Sequence, residues 1–112
     1  TYSRDFTFVD NVVQANHLAA LATDPGAVNQ VYNVAHGERT NLNELFDMIK
    51  RLIGRHDKEV LGITPVYGPV RAGDIPHSLA SIEKAERLLG YRPTHTVLEG
   101  MEEAIDWYRA NL

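Results

Sequence analysis

Residues 30–54, QVYNVAHGERTNLNELFDMIKRLIG, carry the pattern that sets the fold class. The opening QVYNVA (30–35) is rich in β-branched and aromatic residues and suits a short strand. HGERTN follows as a loop. Asn41 then precedes an apolar run, with Glu44 three positions on. In that spacing the first side chain accepts a free N–H of the helix start and the glutamate reaches back. From Leu42 the period is helical. Leu42, Leu45, Phe46, Met48, Ile49, Leu52 and Ile53 share one face; Asn43, Glu44, Asp47, Lys50 and Arg51 share the other. Gly54 is expected to stop the helix. A strand running through a loop into an amphipathic helix is an α/β unit.

The flanks repeat the theme. Upstream, FTFV (6–9) suits a strand, and Asp10 is expected to cap a helix over NVVQANHLAALAT. Val12, Ala15, Leu18, Ala19 and Ala22 share its face. Val13 and Leu21 fall off that face, which predicts burial on two sides. DPG (24–26) ends it. Downstream, RHDKEVLG is a polar connector. ITPVYGPV (63–70) is extended, but Pro65 and Pro69 confine it to a sheet edge or to no sheet. Ser81 is expected to cap a short helix with Ile82, Ala85, Leu88 and Leu89 inward. Gly90 and Tyr91 suit a left-handed ending with the tyrosine packed back. Thr96 and Glu99 form a second capping box. It opens a last helix with Leu98, Met101, Ala104, Ile105, Tyr108 and Leu112 on one face.

The expected fold class is α/β, with few short strands and about four amphipathic helices. So small a parallel pair is poorly supported alone. The missing strands are expected in another part of a longer chain, and the abrupt start TYSRDFTFVDN points the same way.

Composition narrows the options. The 112 residues are 44% hydrophobic with a net charge of −4, which fits one globular unit over 1–112. Without cysteine there is no disulfide framework, and a reducing, cytoplasmic setting is expected. Mild acidity argues against a nucleic-acid partner. No apolar run is long enough for a membrane span, and no leader is expected.

Four residues have chemistry worth weighing. Arg4 in SRDF precedes the first strand. It either pairs with Asp5 on the surface or offers its planar fork to a phosphate. Spacing alone favours the ion pair. In RAGD, Gly73 permits a turn, Arg71 can meet a diphosphate, and Asp74 can accept from a diol such as a ribose. A solvated Arg–Asp contact explains the same spacing. Arg39 sits just before a helix start, where free N–H groups favour anions, although Asn41 and Glu44 already cap that turn. The histidines at 17, 36, 56, 77 and 95 show no metal-ligand spacing; only His77, beside the RAGD loop, invites attention. There is no G-x-S-x-G elbow, no glycine-rich dinucleotide loop and no Tyr-x-x-x-Lys.

Three stretches taken together, SRDFTFVDNVVQANHLAAL, QVYNVAHGERTNLNELF and PVYGPVRAGDIPHSLASIEKAERLLGYRPTHTVLEGMEEAIDWY, resemble one family in order. They are similar to the C-terminal, substrate-binding portion of extended short-chain dehydrogenase/reductases, in particular nucleotide-sugar 4-epimerases. The resemblance implies a Rossmann-type NAD-binding domain upstream of this chain and a UDP-sugar held in the cleft between the two parts. It implies that Arg4 and Arg71 contact the diphosphate and Asp74 the ribose; Arg39, by its place before the helix start, is a further phosphate or ribose candidate for substrate binding. Two arginines suit a doubly charged ligand in a partly dry cleft. The family takes a hydride from sugar C4 to NAD, turns the 4-keto sugar and returns the hydride to the other face. The Tyr, Lys and Ser or Thr that handle the proton lie upstream, so no catalytic residue is expected here. The family implies a homodimeric parent, and the isolated segment is expected to self-associate. Other chemistries of the family (dehydratase, decarboxylase, reductase) and a standalone binding module are the alternatives. Two positions depart from the family pattern: Pro76 stands where a basic residue is expected, and Ser81 where an Asp is expected.

Overall fold

Ser3 and Arg4 form β1 and pair antiparallel with β2, Thr40–Asn41, in the register Ser3–Asn41 and Arg4–Thr40. A parallel bridge joins Ser3 to His77 as well, so β1 contacts two segments. These coordinates are a computed structural model, which describes residues 2–112. Around the small sheet run α1 (Val9–Leu21), α2 (Leu42–Gly54), a 3-10 helix (Lys58–Gly62), α3 (Glu83–Leu89) and α4 (Val97–Asn111). The expected α/β class with four helices is observed.

The strands are not where the β-branched runs predict them. Residues 6–8 are extended but unpaired, and Val9 already belongs to α1. Residues 30–34 carry no regular structure and Ala35 is a bend, so this run forms no ladder. Strand propensity needs a neighbouring backbone to complete its hydrogen bonds, and none lies alongside among the described residues. Side chains anchor the second run instead. Lys84 Nζ donates to the Val31 carbonyl at 2.9 Å and the Tyr91 hydroxyl donates to the Ala35 carbonyl at 2.7 Å. Residues 63–70 lie outside any sheet.

Both capping boxes form as expected. Glu44 N–H donates to Asn41 Oδ1 at 2.8 Å and Asn41 N–H to Glu44 Oε2 at 3.0 Å; Thr96 and Glu99 do the same for α4. Asp10 lies in the first turn of α1, where it suits the helix dipole, but Phe8 occupies the cap position without a side-chain bond. At α3 the cap position falls to Ile82, and Ser81 Oγ accepts from Glu83 N–H only at 3.5 Å. Gly90 takes φ 71°, and the Gly90 and Tyr91 N–H groups donate to the Glu86 and Ala85 carbonyls. That is the left-handed ending the sequence implies. Gly54 acts differently from expectation: it is helical and buried, and a Cβ there would strike Leu61. Its role is close approach of the 3-10 helix, not a stop.

The core is small. Ala15 of α1, Ala85 of α3 and Tyr91 pack together, with Leu18, Tyr32, Val34 and Ile82 against them. α2 packs separately on α4 and the 3-10 helix. On α1 the buried stripe is Asn11–Ala15–Leu18, while Val12 and Ala19 face outward. Val13 and Leu21 are 58% and 65% exposed, so α1 is buried on one side only. The radius of gyration is 17.1 Å, against about 13 Å for a compact domain of this length. The helix pairs therefore spread over a shallow body with apolar surface uncovered. No described helix is long and apolar enough to cross a membrane.

Candidate functional site

Alternation along β1 sends Arg4 and Asp5 in opposite directions, so the surface pair between them does not form. Asp5 accepts the backbone N–H groups of His36 and Gly37 at 3.0 and 2.8 Å. Gly37 makes that approach with φ 92°, and a Cβ would press on Ile82. Asp5 thus fixes the loop that leads to β2, on the same side as the Tyr91–Ala35 bond. Burial, and secondarily the nearby Asp5 charge, push the Tyr91 hydroxyl above its usual range.

Arg4 crosses to the other segment. Its Nη2 donates to Asp74 Oδ1 at 2.7 Å, and its Nη1 donates to the Ser3 carbonyl at 2.8 Å and the Pro76 carbonyl at 3.4 Å. Both members of the pair are partly shielded, with side chains 31% and 22% exposed. Planar guanidinium geometry lets one side chain hold a carboxylate and two carbonyls at once. Gly73, at φ 79°, makes the turn closed by Asp74 N–H to the Arg71 carbonyl at 3.2 Å. Asp74, the expected ribose acceptor, is held by Arg4.

Arg71 and Arg39 are different. Both are exposed, and among the described residues neither guanidinium has a hydrogen-bond or ion-pair partner. Arg39 adjoins Thr40, which pairs with Arg4. Arg71 lies three residues before Asp74. The structure thus brings Arg4 and Asp74 into contact. It leaves two free cations in the adjoining segments, where they do not touch. The helix start at α2 is occupied by its own cap, so Arg39 does not share an anion site with those N–H groups.

Pro76 proves useful despite its missing N–H: its carbonyl accepts from Ser3 N–H at 2.8 Å. Spacing in the sequence gave no hint that Ser3 and His77 meet, and their side chains lie 2.7 Å apart. It also passed over Asn11, which is fully buried. Its carboxamide accepts from Thr94 and His95 N–H and donates to the His95 carbonyl. The signal was present: Asn11 lies on the Ala15–Leu18 stripe, where a polar residue must find partners. Asp10, His95 and Glu103 also converge, though far apart in sequence. His95 Nε2 and Glu103 Oε1 are 2.8 Å apart, and the contact reads as a hydrogen bond beside exposed Asp10.

Two hollows of 280 and 360 Å³ lie elsewhere, one between α1 and α3 and one between residues 8–10 and α4. Neither touches Arg4, Arg39, Arg71 or Asp74.

No protein-family model matches the chain. Individual relatives do. A UDP-glucose 4-epimerase of Mycolicibacterium smegmatis is 31% identical over 107 residues, 96% of this chain and 31% of that protein. The crystal structure of a UDP-glucose 4-epimerase from Thermotoga maritima, solved with UDP-glucose, superposes with a TM-score of 0.83 at 35% identity, over 97% of this chain and 32% of the other. The enzyme MoeE5, solved with UDP-glucuronic acid and NAD, gives 0.81 at 32% identity, over 100% of this chain and 35% of the other. The chain spans about a third of the length of the curated relatives it matches.

Fold and sequence together match the C-terminal portion of an extended short-chain dehydrogenase/reductase. Within that class the similarity is to UDP-sugar 4-epimerases.

Proposed function

We propose that residues 1–112 form one substrate-binding lobe of a UDP-sugar 4-epimerase, working in the cytoplasm as part of a homodimer. Its ligand is a UDP-sugar. Arg71, with Arg39 beside β2, meets the diphosphate, and Asp74 accepts from the ribose hydroxyls. Arg4 adds charge to the same face while holding Asp74. The observation that supports this reading is the Arg4–Asp74 contact, which joins SRDF and RAGD, distant in sequence, with exposed Arg39 and Arg71 in the adjoining segments.

The residues present do not fit a dinucleotide. There is no glycine-rich strand-to-helix loop and no Tyr-x-x-x-Lys. NAD and the proton-handling residues belong to the remaining two-thirds of the parent, whose Rossmann domain is this lobe's partner. The uncovered apolar surface and the spread-out shape support such a partner. Alone, the chain is inactive and self-associates. A product assay on the full-length protein tests the reading: UDP-glucose converted to its C4 epimer supports it. A dehydrated, decarboxylated or reduced sugar product instead overturns it.

A further inference from the structure

The segment from Ile63 to Ala80 contains no helix and no strand. Its residues 66, 67, 70, 71 and 75 are exposed, and Asp74 N–H to the Arg71 carbonyl is its one internal backbone bond among the described residues. A stretch of this kind has a large ordering entropy to overcome. Its first part is tied to α2, where Lys50 Nζ donates to the Ile63 carbonyl and the Tyr67 hydroxyl to Asn43 Oδ1, and residues 74–78 are fastened at β1, where Arg4 also holds Asp74. Ser3 N–H donates to the Pro76 carbonyl at 2.8 Å, and Ser78 N–H donates to the Ser3 carbonyl at 3.2 Å. Those two bonds bracket His77, whose Nδ1 lies 2.7 Å from Ser3 Oγ. Ser3 is buried at 6% exposure and His77 is exposed, so the bond runs from the body outward to the loop. The contact joins residues 74 apart in sequence.

We propose that Ser3 and His77 are positioning residues for nucleoside-diphosphate recognition. Their side-chain bond fixes the 71–78 loop on β1, so that Arg71 and Asp74 are already placed when the ligand arrives. This rests on the proposed function of the loop. Neither side chain touches the ligand; each acts through Arg71 and Asp74. Loosening the loop makes ordering it a cost of binding, which weakens affinity without altering the reacting groups. The backbone bonds remain in either single variant, so the fold is kept.

The test uses the full-length enzyme and reads KM and kcat for its UDP-sugar, together with Tm. Ser3→Ala and His77→Ala are each expected to raise KM about tenfold. The same variants leave kcat within about twofold and Tm little changed. His77→Asn, whose amide offers a polar atom near the Nδ1 position, is expected to recover most of the lost KM. The proposal is overturned if both alanine variants keep the parental KM. It is equally overturned if kcat falls as far as KM rises, or if Asn rescues nothing. Arg71→Ala separates the two layers. A raised KM there with normal Ser3→Ala and His77→Ala sinks the positioning role alone. An unchanged KM there removes the diphosphate reading and this proposal with it.

Discussion

Arg4 and Asp74 stand 70 residues apart in sequence, and their guanidinium and carboxylate meet at 2.7 Å. That contact is what turns SRDF and RAGD from two separate motifs into one surface. Both side chains remain partly exposed, so solvent screens the pair. A double-mutant cycle with Arg4→Ala and Asp74→Ala, read by urea unfolding, is expected to give a coupling of about 1 kcal/mol. A coupling of zero would mean that the pair does not hold the loop.

Asn11 should matter more than its place in an amphipathic helix suggests. Its carboxamide satisfies two N–H groups and one carbonyl at residues 94–95. Asn11→Ala leaves those partly buried groups without their partner and should cost about 1–3 kcal/mol. Asn11→Asp keeps the two accepted bonds but turns an oxygen toward the His95 carbonyl, so it should also destabilise. Chemical denaturation of both variants checks this.

Gly100 and Gly54 are both helical and buried, and they should respond differently to alanine. A Cβ at Gly100 would meet Phe8 Cβ, Cγ and Cδ1 at 2.7 Å, and the Phe8 ring already packs, tilted, 4.9 Å from His95. Gly100→Ala should lose about 1–3 kcal/mol by overpacking. At Gly54 the obstacle is Leu61 Cδ2 and Cγ, on a half-exposed side chain with room to change rotamer. Gly54→Ala should cost less, since better helix propensity offsets up to about 1 kcal/mol. Thermal unfolding of the two variants side by side decides it.

Stability should fall at both pH extremes for identifiable reasons. The Thr96 backbone N–H, then its hydroxyl, hold Glu99 below its ordinary value of 4.5. A carboxylate lowered by folding contributes stability that is present above that value and is lost as pH falls. Tyr91 is raised above 10.0 by burial and then by the Asp5 charge. Its contribution is intact below that pH and fades as pH rises further. Replacing Glu99 with Gln should flatten the acid limb of a stability–pH curve, and Tyr91→Phe the alkaline limb.

Uncovered apolar surface should make the isolated chain self-associate. Val66 is 96% exposed, Val70 76% and Tyr67 75%, in an extended run without backbone partners. Such edges pair with other chains. Sedimentation velocity at rising concentration should show a growing dimer fraction. A strictly monomeric chain would count against it.

The helices were legible because their signals are local. Asn41–Glu44, Thr96–Glu99 and Gly90–Tyr91 each encode an end within a few residues, and all three form as read. The strands were not, because FTFV and QVYNVA carry propensity without the neighbour that would complete a ladder. The sheet forms instead at Ser3–Arg4 and Thr40–Asn41, where polar residues meet across a long sequence separation. The motif residues Arg4, Arg71 and Asp74 were visible, and the resemblance implied a shared ligand, but the direct Arg4–Asp74 contact was not legible. Alternation along β1 decides that Arg4 meets Asp74 and Asp5 the 36–37 backbone, and no one-dimensional spacing carries that. His77 drew notice for its place beside the loop, while its bond to Ser3 is purely tertiary.

The proposed role of this face depends on Arg71 meeting a nucleotide diphosphate. Calorimetric titration of UDP into the full-length protein, native and Arg71→Ala, tests this most directly. Loss of one partner of a desolvated charge contact costs about 2–5 kcal/mol, so affinity should drop by at least about thirtyfold. Unchanged UDP affinity in Arg71→Ala would contradict the assignment of this face as the nucleotide-sugar site.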